Sequence, residues 1–349
     1  MVPESIYTEE HFIVPVVELK KKGTDMVTED RSKLQKNSNT EYRSNPKKEP
    51  GMFTSTSTRD VAPVEFKAKA SEKKSDMSVV ATQDVITLPP TTTIMGAIKT
   101  MTNKGFRRVP IADAGTKRLE GIITSMDIVN FLGGGSKNLL VEKYYKGNLL
   151  AAINADVSEI MERDVAFVAS KASISDAVEI MIKRNTGGLP VVDEDSRVCA
   201  IFTERDFLDL MADTIDYDSI KNYMSTNVKT VPFDTTIEEA AKIMVSRGFR
   251  RLPIAKDGIL IGIVTASNIM NFLGSGKAFE KIITGNSHEA FSEPITSLIN
   301  KDVVWASPEM DLGDAARLMI EKRVGSLPVI DNDVLCGIIT ERDFLRAVY

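Results

Sequence analysis

Beyond Val79 the chain alternates short apolar runs with amphipathic stretches in one order that recurs four times. The last copy shows it most plainly. Val303-Val304-Trp305-Ala306 reads as a short strand, and Pro308 and Asp311 lead into a helical stretch whose Leu312, Ala315, Ala316, Met319 and Ile320 share one face. Ser326 to Ile330 is a second apolar run, Asp331-Asn332-Asp333 a turn, and Leu335 to Ile339 a third run that enters a closing helix at Thr340. Each unit therefore predicts strand, helix, strand, strand, helix, an α+β unit of roughly 60 residues with one sheet face in need of cover.

Prolines mark the second strands at Pro110, Pro190, Pro253 and Pro328, and threonines end the third at Thr124, Thr203, Thr265 and Thr340. Successive threonines step unevenly, but the first-to-third and second-to-fourth steps are 141 and 137 residues. Content follows that spacing. Units one and three share Gly-Phe-Arg-Arg before the proline (Gly105 to Arg108, Gly248 to Arg251) and Asn-Phe-Leu-Gly in the closing helix. Units two and four instead share Glu-Arg-Asp after the threonine, and Gly187-Gly188 or Gly325-Ser326 before Leu-Pro-Val. The arrangement is ABAB, which predicts two AB modules held to each other by their apolar closing helices. The expected boundaries are a tail over 1–76 and units over 77–135, 156–213, 221–276 and 295–349.

The stretch Gly337-Ile338-Ile339-Thr340-Glu341-Arg342-Asp343 carries the chemistry. A threonine followed three residues on by an acid, at a strand-to-helix junction, is first of all a capping box worth about 1 kcal/mol. The same junction also offers unpaired N–H groups and the positive end of a helix dipole to a phosphate, with a carboxylate able to accept from both ribose hydroxyls. Recurrence at Thr124 with Asp127, Thr203 with Asp206, and Thr340 with Asp343 favours a ribonucleotide site over a plain cap. The third unit departs, pairing Thr265 with Asn268, whose amide has one acceptor and no charge; that cleft is expected to be weak, empty or used differently.

These residues resemble the cystathionine-β-synthase (CBS) domain family over about residues 79 to 349, in the four-domain form common in archaea. The resemblance implies two Bateman modules with clefts for adenine nucleotides, the Thr and Asp positions meeting phosphate and ribose. It implies nucleotide-binding roles for Thr124, Asp127, Thr203, Asp206, Thr265, Asn268, Thr340 and Asp343. Phosphate candidates are Arg108 and Arg251, before the prolines, and Arg205 and Arg342, after the threonines, each AB module being expected to assemble its anion site from both kinds.

Composition narrows the function. A formal net charge of -5 weakens any reading in which the whole protein coats nucleic acid or an anionic membrane, and no apolar run approaches the roughly 20 residues of a membrane span. A cytoplasmic protein is expected. Residues 1–76 mix Ser, Thr, Lys and Glu with few large apolar side chains, the composition of a mobile tail, with Val61 to Phe66 its best docking segment. The two cysteines, Cys199 and Cys336, occupy equivalent strand positions and read as core sites rather than a disulfide.

Gly133-Gly134-Gly135-Ser136-Lys137 and Gly274-Ser275-Gly276-Lys277 superficially resemble phosphate loops. Neither fits G-x-x-x-x-G-K-[ST], and both follow helices, so a helix end leading into a linker is expected. His11 and His288 lie apart from any nucleophile or metal-ligand cluster, and nothing resembles the barrel or cysteine loop of enzymes that carry CBS pairs, such as inosine monophosphate dehydrogenase. The expectation is a non-catalytic sensor needing no cofactor. It would bind AMP, ADP or ATP, act on an unidentified protein, and be compatible with a homodimer. A binder of S-adenosylmethionine or a related nucleoside, and a scaffold or nucleic-acid-associated regulator acting through the tail, are the alternatives.

Overall fold

The computed structural model describes residues 77–212, 218–286, 288–299 and 302–348. The expectations for the N-terminal tail, Val61 to Phe66 and His11 lie outside these residues. Unit one contains α1 (Ile94–Lys104), β1 (Arg108–Ala112), β2 (Leu119–Thr124) and α2 (Ser125–Val129). Unit two contains β3 (Val168–Ala169), α3 (Ile174–Lys183), β4 (Gly188–Val192), β5 (Val198–Thr203) and α4 (Glu204–Met211). Unit three has α5 (Ile237–Arg247), β6 (Arg251–Lys256), β7 (Ile259–Thr265) and α6 (Ala266–Gly274); unit four has α7 (Leu312–Glu321), β8 (Ser326–Asp331), β9 (Val334–Thr340) and α8 (Glu341–Val348).

In every unit the last two strands form an antiparallel hairpin in which the proline sits opposite an isoleucine two residues before the threonine, as in Pro110 with Ile122 and Pro328 with Ile338. The first strand is shorter than expected. Only unit two keeps two paired residues there, whereas units one, three and four keep a single parallel bridge, at Leu88, Val231 and Ala306. The proline present in every unit limits this ladder on one side. Leu88 N–H donates to Pro110 O and Ala112 N–H to Leu88 O, so the missing Pro110 N–H points at this ladder and stops it from extending backwards.

Units pair into modules through their sheets. Thr82 exchanges backbone hydrogen bonds with Ile201, Ile122 with Glu162, and Ser225 with Ile338. Modules then pair through their helices. One core joins units one and three, where α1 and α2 pack on α6, while α4 of unit two packs on α8 of unit four. The B units trade side chains: Leu345 of α8 lies in the core of unit two, and Leu208 of α4 in that of unit four. This bears out the expectation that closing helices hold the modules together.

The cysteines are a correction. Cys199 is exposed and Cys336 half-buried, because along β5 it is Ala200 and Phe202 that face inward, so the residue before them faces out. Each Sγ–H donates to the paired strand's carbonyl, Val191 O or Val329 O, at 3.3 Å.

Where unit one meets α5, the chain after α2 turns through a π-helical segment, Asn130–Gly134, and Gly134 lets the two backbones approach. A β-carbon on Gly134 would stand 2.6 Å from Val245 Cγ2 and 2.8 Å from Val129 O. Gly134→Ala is therefore expected to cost about 1–3 kcal/mol by overpacking, read as a lowered denaturation midpoint at constant m-value.

Candidate functional site

The four threonines cap their helices in one geometry. In each, the Thr N–H and Oγ–H both donate to a single side-chain oxygen three residues on: Asp127 Oδ2, Asp206 Oδ2, Asn268 Oδ1 or Asp343 Oδ2, at 2.6–2.9 Å. The cap thus uses one side-chain oxygen and leaves the other terminal atom to its surroundings, which differ among units. Asp127 Oδ1 is held by Lys137 Nζ, and Asp206 Oδ1 accepts from Thr82 Oγ1 at 2.8 Å. Asn268 turns an NH2 donor outward. Asp343 Oδ1 has no partner among the described residues. Burial raises the Asp343 carboxyl above the usual range, against the lowering effect of the Thr340 hydrogen bonds and of Arg346 and Arg251.

Between the modules lies a cluster of arginines around two glutamates. Glu204 and Glu341 open α4 and α8 directly after the capping threonines and are 3% and 2% exposed. Glu341, of the second module, takes Arg107 Nη1 at 2.8 Å and Arg205 Nη2 at 2.8 Å, both from the first. Glu204, of the first, takes Arg250 Nη1 at 3.0 Å and Arg342 Nε at 2.7 Å, both from the second. Each module brings its two kinds of arginine together, and they meet a glutamate of the opposite module. The physical reason is reach: the helix packing sets each glutamate opposite the other module's arginines.

Of the four phosphate candidates, Arg205 and Arg342 pair with the buried glutamates, whereas Arg108 and Arg251 have no carboxylate bound directly among the described residues. Burial, and like charge from Arg250 on Arg108 and from Arg107 and Arg250 on Arg251, push each guanidinium down to about 10 against the opposing pull of the glutamates. Arg108 Nη1 and Arg342 Nη2 are enclosed without an acceptor among the described residues. Arg205 donates to Met319 O at 3.0 Å and Val324 O at 2.7 Å besides pairing with Glu341, so it clamps the modules and lines neither of the two cavities described next. Arg107 and Arg250, passed over in favour of their neighbours, line the larger cavity.

A cavity of about 520 Å³ is lined by Arg107, Arg108, Arg250 and Arg251, and opens onto Thr265 and Asn268 beside Val303 and Val304 of unit four. The Asn268 cleft is therefore roomy. A second cavity, of about 360 Å³, is lined by Thr340, Asp343, Arg342 and Arg346, with Arg251 and Val228 from unit three. Arg251 faces both. Both volumes suit a small-molecule ligand. Gly188 makes room for the cluster, since a β-carbon there would overlap the Arg108 guanidinium. No group of acids, histidines or cysteines able to hold a metal ion occurs among the described residues, and none of their helices is long and apolar enough to cross a membrane.

Models of the CBS domain match residues 75–134, 157–213, 220–275 and 295–349. The chain belongs to the CBS-domain family. The uncharacterised protein MJ1225 of Methanocaldococcus jannaschii is 38% identical over 272 residues, 77% of this chain and 97% of that protein. Its crystal structure superposes with a TM-score of 0.76, at 37% identity, over 78% of this CBS protein and all of that one. An uncharacterised Pyrococcus horikoshii structure matches with a TM-score of 0.51 at 20% identity, over 78% of this chain and all of that one, which shows the shared fold. An uncharacterised Thermofilum pendens protein is 28% identical over 258 residues, 74% of this chain and 86% of its own length.

The buried glutamates make the CBS assembly acid-sensitive. Burial alone would raise the Glu204 carboxyl, but Arg250, Arg342 and Arg108 outweigh it and hold it at about 2, below the ordinary 4.5. A carboxyl lowered in the folded state stabilises fully above its unfolded value and loses that contribution as pH falls through the folded one. Stability should thus drop between about pH 4.5 and about pH 2. Glu204→Gln should lose about 3 kcal/mol at neutral pH and show a shallower acid slope in urea titrations.

Proposed function

We propose that this protein is a non-catalytic regulator that binds adenine ribonucleotides in its second module, with ribose on the Thr340–Asp343 cap and phosphates on the central arginines. One observation carries the reading: a carboxylate oxygen with no partner among the described residues, Asp343 Oδ1, shares a cavity with Arg251, Arg342 and Arg346. An acid that accepts from two ribose hydroxyls next to guanidinium groups that pair with phosphate oxygens is complementary to a nucleotide. Two guanidinium nitrogens enclosed without an acceptor add weight, since an anion would satisfy both their hydrogen bonds and their charge.

The same charge disfavours S-adenosylmethionine, whose sulfonium would meet excess positive charge. The Thr203–Asp206 cap of the first module is less open in this reading, because its second carboxylate oxygen already accepts from Thr82 Oγ1 at 2.8 Å. The Asn268 cleft takes the more anionic end of a ligand, because it offers an amide and four arginines rather than an acid. The similar M. jannaschii protein has been proposed as an archaeal homologue of g-AMPK, which fits a role in sensing the balance of adenine nucleotides.

Regulation follows from where the arginines come from. A phosphate group entering the cluster competes with Glu204 and Glu341 for guanidinium groups that join the modules. Ligand affinity is thereby coupled to the relative placement of the modules, and a protein partner that prefers one placement reads the ligand.

Thermal unfolding against AMP, ADP, ATP and S-adenosylmethionine tests this. A nucleotide at a hundredfold excess over its Kd should add about 2.7 kcal/mol of stability, with the phosphorylated ligands ahead of S-adenosylmethionine. Asp343→Asn should remove part of that shift while leaving the unliganded midpoint nearly unchanged, since Asn268 shows that an amide keeps the cap. Absence of any shift with all four ligands would refute the proposal.

A further inference from the structure

The first unit's cap differs from the others in a way that its sequence alone does not show. After α2 the chain turns back through Asn130–Gly134, where Gly133 has φ 125°, and a short helical turn, Ser136–Asn138, lies over the helix it has just left. Asn130 Oδ1 accepts from Lys137 N–H at 2.8 Å, and Asn138 Nδ2 donates to Phe131 O at 2.8 Å, so the fold-back is pinned at both ends. Lys137 is thereby delivered to Asp127. Its ammonium donates to Asp127 Oδ1 and to Ile160 O of the neighbouring unit, at 2.5 Å for the latter, with its side chain only 21% exposed.

The repeat supplies an internal control. In unit three the lysine follows its asparagine by six residues (Asn271 to Lys277) rather than seven, the capping residue is the amide Asn268 rather than an acid, and Lys277 is exposed with no polar contact among the described residues. The facing unit differs too. The residue that bridges to the strand before the cap is Thr82 for unit two and Ser225 for unit four, both small hydroxyl residues, but it is Glu162 for unit one. At Asp127 the second carboxylate oxygen is taken by a lysine of this chain, and the bridging residue is a glutamate rather than a hydroxyl residue.

We infer that Lys137 is a built-in occupant of the first cleft, which takes the Asp127 oxygen that a ribose would need and withdraws that cleft from nucleotide binding. The inference rests on the nucleotide reading for the meaning of the cleft, but the lysine contact stands apart from it. The four clefts are then unequal by construction, and Lys137 rather than Asp127 sets the specificity of the first. The Gly133 to Lys137 stretch, which looks like a poor phosphate loop, serves to carry this lysine.

Amine-selective acylation of the full-length protein, read lysine by lysine by mass spectrometry with and without saturating ATP, tests the contact directly. Lys137 should label several-fold more slowly than Lys277, ATP should leave its rate unchanged, and Asp127→Asn should raise it. Equal labelling of Lys137 and Lys277, or a change in Lys137 labelling on adding ATP in either direction, overturns the inference. Calorimetric stoichiometry supplies the second arm: Asp127→Asn should bind as many ATP equivalents as the wild type, whereas Asp343→Asn should lose one. Loss of an equivalent in Asp127→Asn also overturns it. No ATP binding by any variant would sink the nucleotide reading, and the labelling rates without ligand would still decide the lysine.

Discussion

The exchange of charge between modules is the constraint on which the rest depends. Glu204 and Glu341 are almost fully buried, and each forms its ion pairs with arginines of the other module. A buried carboxylate left unpaired is strongly destabilising, so neither B unit can adopt this helix start without the opposite module in place. The apolar contact between closing helices brings the modules together, and the four cross-module ion pairs fix how they meet. Because six arginines surround two acids, the centre keeps positive charge that the protein does not neutralise from within the cluster. That surplus, with Arg108 and Arg251 pushed down to about 10, is the physical basis for an anionic ligand.

The capping threonines are tied to the same design. The glutamate that pairs across the modules is the first residue of the helix the threonine caps, and the acid that closes the capping box lies two residues further on. Cap, ligand carboxylate and module clamp therefore occupy one turn of helix. A change at any of them is transmitted within about 5 Å, the pitch of that turn. The pseudo-symmetry of ABAB makes the inequalities informative: Lys137, Thr82, the Asn268 amide and the open oxygen of Asp343 each give one cap a different second partner.

Much of this was legible in the sequence. The hairpins, the two helices, the ABAB order and the four caps rest on local periodicity and on spacings of three residues, which a single chain displays without reference to its fold. The cross-module pairing was not legible, because Arg107 and Glu341 are 234 residues apart and only the docking of helices sets them 2.8 Å from each other. The alternation of Glu-Arg-Asp with Arg-Arg did hint at complementary partners, but it did not say which pairs meet. Arg205 pairs with Glu341 of the other module, a contact that no local pattern announces. The short first strand was readable in principle from the proline beside it, and the exposure of Cys199 from the alternation around Ala200 and Phe202. Lys137 was hidden by a π-helical turn that no simple periodicity announces.

The central claim is that the clefts of this protein hold an adenine ribonucleotide. The most direct measurement is mass spectrometric identification of the small molecule that the protein carries through purification under native conditions, followed by exchange against ATP. The account predicts an adenine nucleotide bearing at least one phosphate, displaced by ATP. A bound ligand without ribose and phosphate, or a protein that carries nothing and takes up no ATP, would contradict it.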